Sequence, residues 1–152
     1  MQRQKGFTLI ELLVVLMIVA IIATIALPSF SRIIENNRIT TVSNDLVGLL
    51  SYSRAEAIRR GANITIGGDL ATGLNVLSNG NSLRDLDMPG GNVSITIETG
   101  STDTLIFGNR GMLQTAGLAR TYRVCGSTGS QGIDIVVTAG GQVRSSQGPV
   151  CP

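Results

Sequence analysis

Glu11 is a carboxylate inside an apolar run. The run starts at Phe7, and residues 12–27 carry no charge and one polar side chain, Thr24. Insertion scales put a carboxylate there at ~2.5–3.5 kcal/mol, so it calls for a cation or a purpose. Elsewhere the chemistry thins out. The chain has no histidine, which removes the usual Ser-His and Cys-His pairs, and Ser51 and Ser53 fall in a helical pattern without an evident base. Cys125 and Cys151 are the only cysteines, too few zinc ligands without histidine. Gly67-Gly68-Asp69 through Gly73 lacks the Gly-Lys-Ser/Thr ending of a phosphate loop. Asp69, Asp85, Asp87 and Asp103 offer hard oxygen donors of the kind calcium takes, but without alternate-position ligand spacing. Each lies beside turn residues, where Asp bonds its own backbone. The expectation is a chain with no catalytic residue, no metal and no cofactor.

The elements that must position these residues begin with the apolar run itself. About 20 apolar residues suffice to cross a bilayer as a helix. Arg3 and Lys5 precede it, a flank that favours a cytoplasmic N-terminus. Three readings fit: a plain anchor, a secretory signal using the small residues Ala20, Ala23 and Ala26, and a third given below. Pro28 lacks an N–H, so a kink or local unwinding is expected there. Beyond it, Phe30, Ile33, Ile34, Val42, Leu46, Leu49, Leu50, Ala57 and Ile58 largely follow three- and four-residue spacing. Arg32, Glu35, Asn36, Asp45 and Arg59 take the other face. This predicts an amphipathic helix continuing to Arg60 and ended by Gly61. On it Arg60 can pair with Glu56 four residues earlier, and Arg54, Arg59 and Arg60 read as structural cations near the helix end.

After Gly61 the period becomes strand-like. Short apolar or β-branched runs occupy 63–66, 74–77, 93–97, 105–107, 121–124 and 133–138, with weaker candidates at 83–86 and 142–145. Gly67-Gly68, Ser78-Asn79-Gly80, Pro89-Gly90-Gly91 and Gly140-Gly141 read as the turns between them. The fold class expected is α+β, a long helix packed on a small antiparallel β domain. With 152 residues, 19 of them Gly, and no Trp, the chain has room for the helix and one such domain. The formal charge of +2 comes from the leader, since ten basic and ten acidic side chains remain without Arg3 and Lys5. That balance gives no global argument for nucleic acid. The distribution is uneven, however: Asp69, Asp85, Asp87, Glu98 and Asp103 face Arg84 alone over 61–104, whereas Arg110, Arg120, Arg123 and Arg144 face Asp134 from 105 onward.

KGFTLIELLVVLMIVAIIATIALP resembles the N-terminus of type IV pilins and type II secretion pseudopilins. The resemblance covers about residues 1–30, with the Gly, Phe, Thr-Leu, Glu and Pro at family spacing. It implies that a prepilin peptidase cuts between Gly6 and Phe7 and methylates the new amine on Phe7. Glu11 then becomes the fifth mature residue, and its cation is the Phe7 amine of its own or a neighbouring subunit. Glu11 and Pro28 become assembly residues of the filament core. The implied organisation is a leader (1–6), a transmembrane and filament-core helix (7–28), its amphipathic half (29–61) and a β-rich globular domain (62–152). A single-pass protein of the bacterial inner membrane with a periplasmic domain is implied. In that disulfide-permissive compartment Cys125 and Cys151 are expected to be joined, for ~3–4 kcal/mol in the chain-entropy model.

The globular part narrows the resemblance. SYSRAEAIRRG followed by ANITI, then LIFGNRGML, then VCGSTGSQGIDIVVTAGGQVRSSQGPVC, are similar to the GspH/FimT group of minor pilins and pseudopilins. Members of the FimT kind bind DNA through a Gly-Arg-x-Arg turn near the C-terminus. Here the turn reads Gly141-Gln142-Val143-Arg144, so Arg144 matches and Gln142 departs. Arg110, Arg120 and Arg123 are the cations available to compensate if the fold gathers them, because phosphate contacts dominate non-specific affinity. The resemblance implies a FimT/FimU-like minor pilin, not an enzyme, acting in pilus assembly initiation or at the tip. Its implied partners are other minor pilins, the major pilin, the prepilin peptidase and the inner-membrane assembly platform. Two alternatives remain: a DNA-binding minor pilin for uptake of double-stranded DNA, and a GspH-like pseudopilin of a type II secretion system.

Overall fold

The computed structural model describes residues 7–88, 92–99, 104–114 and 119–152, with the side chains of 25–29 left aside. The chain divides into two units, Met1–Ile34 and Glu35–Pro152. One helix, α1 (Leu9–Arg60), belongs to both. It runs through position 28 without interruption, so the local unwinding expected at Pro28 is not found.

In the first unit α1 opens with a capping box. The Thr8 amide and hydroxyl each donate to Glu11 Oε2 at 2.9 Å, and the Glu11 amide donates to Thr8 Oγ1 at 3.3 Å. The apolar side chains that follow are exposed on every side of the helix, from Leu9 (79%) to Ile22 (60%). Phe30, Ile33 and Ile34, read from sequence as part of a core stripe, are also exposed. Their spacing is helical, but no element of this unit lies over them.

In the second unit the buried stripe begins later, at Ile39, and continues through Val42, Leu46, Leu49, Leu50 and Ala57. Ile58, assigned to it from sequence, is exposed. Two hydroxyls within the stripe are satisfied by the helix itself, Ser43 on Ile39 O and Ser53 on Leu49 O, both at 2.7 Å. Gly61, at φ 60°, ends the helix. Its amide bonds Ile58 O while the Ala62 amide bonds Ala57 O, the two bonds of a Schellman motif.

Eight strands follow among the described residues: β1 (Ile64–Asp69), β2 (Gly73–Ser78), β3 (Asn81–Asp87), β4 (Ser94–Thr99), β5 (Leu105–Phe107), β6 (Arg120–Cys125), β7 (Gln131–Val137) and β8 (Val143–Val150). They form two antiparallel sheets, ordered β3-β2-β1-β5 and β4-β6-β7-β8. Helix and sheets share one core, in which Leu49, Leu50, Ile64, Val76, Phe107, Val124 and Ile135 are fully buried. Gly67 and Gly68 lie inside β1, opposite Asn75 and Leu74. They are therefore not the turn that their composition suggested; the turn comes at 70–72, where Asp69 Oδ1 accepts the Ala71 amide at 2.8 Å. Asn79 (φ 49°) and Gly80 (φ 83°) do make the β2–β3 hairpin turn. The Pro89-Gly90-Gly91 turn and Asp103 lie outside the described residues.

Candidate functional site

The processing residues divide at the edge of the described chain. Gly6 lies outside it, and Phe7 stands exposed at its start (88%). Within this single chain the Glu11 carboxylate accepts from Thr8, three positions earlier. No helix among the described residues is long and apolar enough to cross a membrane. The described part of the apolar run, residues 9–24, reaches ~24 Å at ~1.5 Å per residue, against a hydrocarbon core of ~30 Å. The rest of the run falls where side chains are left aside.

Cys125 and Cys151 are joined, tying the end of β6 to the residue after β8. The segment between β6 and β7 is held from two further sides. The Gly129 amide donates to Cys151 O (3.0 Å), and the Cys151 amide donates to Ser130 O (2.9 Å). From α1, Glu35 accepts the Ser127 amide, which holds its carboxyl below the ordinary range. Gly126 permits that approach, because a Cβ there would collide with the Glu35 carboxylate and come within 2.9 Å of Ile39 Cδ1.

The four arginines singled out from sequence are not gathered into one cationic set. Arg120 is buried, and its guanidinium donates to Thr104 O at 3.0 Å. Arg123 lies between two carboxylates, Asp134 on β7 and Glu98 on β4, each at 2.8 Å. The Asp134 hydrogen bonds raise its pKa. Both arginines are thus structural. Arg144 is exposed on β8, donating to Gln142 Oε1 at 3.0 Å, and Arg110 is exposed in the loop after β5.

Sequence reasoning missed the cation that joins Arg144. Arg54, on α1, lines one groove with Ser51, Gly141, Gln142, Val143 and Arg144. Its Nε donates to Gly111 O at 3.1 Å and its Nη2 to Gly140 O at 3.5 Å, residues 57 and 86 positions away. Only Gly111 and Gly141 hint at this in the sequence, as glycines permitting close approach, and nothing there pairs them. Glu56 does pair with Arg60 (2.5 Å) and also with Arg59 (2.7 Å).

Residues 1–27 match the prokaryotic N-terminal methylation motif, and residues 42–141 match the family described as type II transport protein GspH. The chain belongs to the GspH family. Over 46 residues it is 50% identical to the type IV major alpha-pilin of Moraxella bovis and 48% identical to fimbrial protein Q of the same organism. Those alignments cover 30% of this chain, which spans only 29% of the length of either curated relative. Among solved structures the GspH-family chain is similar to the type IV minor pilin FimU of Pseudomonas aeruginosa. That match has a TM-score of 0.66 and 21% identity, covering 78% of this chain and 98% of the other. It is also similar to the minor pseudopilin EpsH of the Vibrio cholerae type 2 secretion system, with a TM-score of 0.60 and 13% identity over 72% and 97% of the two chains. At these identities the likeness is one of fold. The chain is a structural subunit of the pilin and pseudopilin superfamily, not an enzyme.

Proposed function

We propose that this chain is a minor type IV pilin that acts in pilus assembly initiation or at the pilus tip. The observation that carries this reading is the pairing of a GspH-type globular unit with the N-terminal methylation motif over residues 1–27, beside a 46-residue stretch 50% identical to a type IV major pilin. The prepilin peptidase cuts between Gly6 and Phe7 and methylates Phe7, a role that the match over residues 1–27 supports. A helix apolar on all sides needs lipid or neighbouring helices around it. Residues 7–28 accordingly anchor the subunit in the inner membrane and later enter the filament core, with the globular unit in the periplasm. There the protonated Phe7 amine of its own or a neighbouring subunit pairs with Glu11 and sets axial register, and Pro28 is an assembly residue of the same helix. Its partners are other minor pilins, the major pilin and the inner-membrane assembly platform.

Glu11→Ala is expected to leave Gly6–Phe7 cleavage intact and to cut recovery in sheared filaments about tenfold or more, the scale of one lost pairing of ~1.4 kcal/mol. Normal incorporation would refute the role. The family description favours a second reading, a pseudopilin of a type II secretion system. Deleting the chain separates the two, since a pilin costs twitching and a pseudopilin costs secretion of folded enzymes. A DNA-uptake role draws on the Arg54–Arg144 groove. It requires duplex DNA affinity that falls with salt and with Arg144→Ala.

A further inference from the structure

Helix α1 and strand β8 leave an open cleft between them in the globular unit. At one end Asn36 and Thr40 of α1 line it with Ser145 and Gln147 of β8, over Ile39 and Ile133. At the other end Ser51 and Arg54 line it with Val143 and Arg144. At ~100° per residue, Asn36, Thr40, Ser51 and Arg54 fall within about 60° of one another around α1. The two grooves therefore follow one seam, along which α1 and β8 run in opposite directions.

The β8 side of that seam is a free sheet edge, because β8 pairs with β7 alone. The Thr138 amide donates to Gln142 O at 2.9 Å. By antiparallel alternation the Arg144 and Ser146 backbones then bond β7 as well. Val143, Ser145 and Gln147 turn their N–H and C=O groups the other way, where no strand among the described residues meets them. The edge also lacks the usual protection. From Ser145 to Gly148 it carries no charge and no proline, and Ser145, Ser146 and Gln147 are exposed. The other sheet edges are guarded. β3 carries Arg84, Asp85 and Asp87, and β4 carries Glu98 and a register shift after Ile97. β5 is three residues long, with Phe107 bridged to Leu113.

The cationic end of the seam narrows the occupant. Arg54 and Arg144 make no ion pair with a carboxylate among the described residues, whereas Arg59, Arg60 and Arg123 all do. Strand β8 has no acidic residue, so the β8 of a second copy brings no carboxylate to them. Phosphate oxygens accept from edge amides but give nothing to edge carbonyls, whereas an extended chain supplies both donors and acceptors.

We propose that β8 takes an extended segment of a different subunit as an added strand, with an Asp or Glu of that segment beside Arg54 and Arg144. The proposal rests on the reading of the chain as a minor pilin and gives the contact with its neighbour a form. A photoreactive benzophenone side chain placed at position 145 or 147 of the full-length chain, in the cells that make it, tests this. Both positions should link to one segment of one other subunit, at residues about two apart, because strand side chains on one face repeat every second residue. That segment should hold an acidic residue. Ser145→Pro removes one outward N–H where an edge strand accepts proline. It should cut the yield of links from position 147 about fivefold at an unchanged melting midpoint. Arg144→Glu, at an exposed side chain, should cut it by a similar factor.

No link, links scattered over unrelated surfaces, or yields untouched by both variants overturn the proposal. A link to β8 of a second copy does so too, as does duplex DNA binding abolished by Arg144→Glu in the absence of any link. A linked strand that belongs to a secretion-system subunit keeps the docking and removes the pilin reading. No link in a chain that still enters sheared pili removes the docking and keeps the pilin reading.

Discussion

Glu56 shows how a single side chain is held by its helix neighbours. Hydrogen bonds from Arg59 first, then Arg60, lower its pKa from 4.5 to about 2. Glu35 shifts in the same direction because the Ser127 amide donates to its carboxylate. A depressed folded-state pKa means that the unfolded chain takes up the proton first as pH falls. The contribution of Glu56 is therefore complete above ~4.5 and is lost as pH falls toward about 2. In Glu56→Gln the thermal midpoint should depend less on pH across that window, which a melting series from pH 6 to 2 would read. An unchanged slope would mean that the arginine pairs add nothing to the folded state.

Among the elements, β6 and β8 depend most on a covalent tie. Both flank β7 in the second sheet, and β8 is an edge strand exposed along most of its length. The Cys125–Cys151 bond closes a separation of 26 residues around that edge. A loop of that size stabilises by ~3–4 kcal/mol in the chain-entropy model. Cys125→Ala with Cys151→Ala should lower unfolding free energy by about that much, read from the denaturant midpoint at unchanged slope. The first sheet has no such tie. Its shortest strand, β5, is held through the buried side chains Leu105 and Phe107.

At the scale of the whole molecule the two units answer to different surroundings. In the first unit the helix from Leu9 exposes leucine, isoleucine and valine on all sides among its described side chains, a kind of surface that water does not favour and that lipid or other helices can cover. Glu35–Pro152 buries its own core and presents charge outside. That division fits a subunit that is held by its helix and recognised by its domain. It also sets where Glu11→Ala is expected to act, on filament entry and not on the folding of the domain.

Sequence alone determined the features that depend on neighbours a few positions apart. The N-terminal motif, the helix end at Gly61 and the Asn79-Gly80 hairpin are all local; six of the strands lie where short apolar runs predicted them, and β3 and β8 fall on the weaker candidates at 83–86 and 142–145. The tertiary structure decided the rest. Composition marked Gly67-Gly68 as a turn, but pairing with β2 drew both residues into β1. The spacing of Phe30, Ile33 and Ile34 suited a core stripe, yet burial needs a covering element and all three are exposed among the described residues. The assignment of β5 to the first sheet after β4 had joined the second is a non-local pairing that no periodicity encodes. Arg54 belongs with these: a helix-surface arginine by spacing, it became the joint between two loops only because the fold carried Gly111 and Gly140 to it.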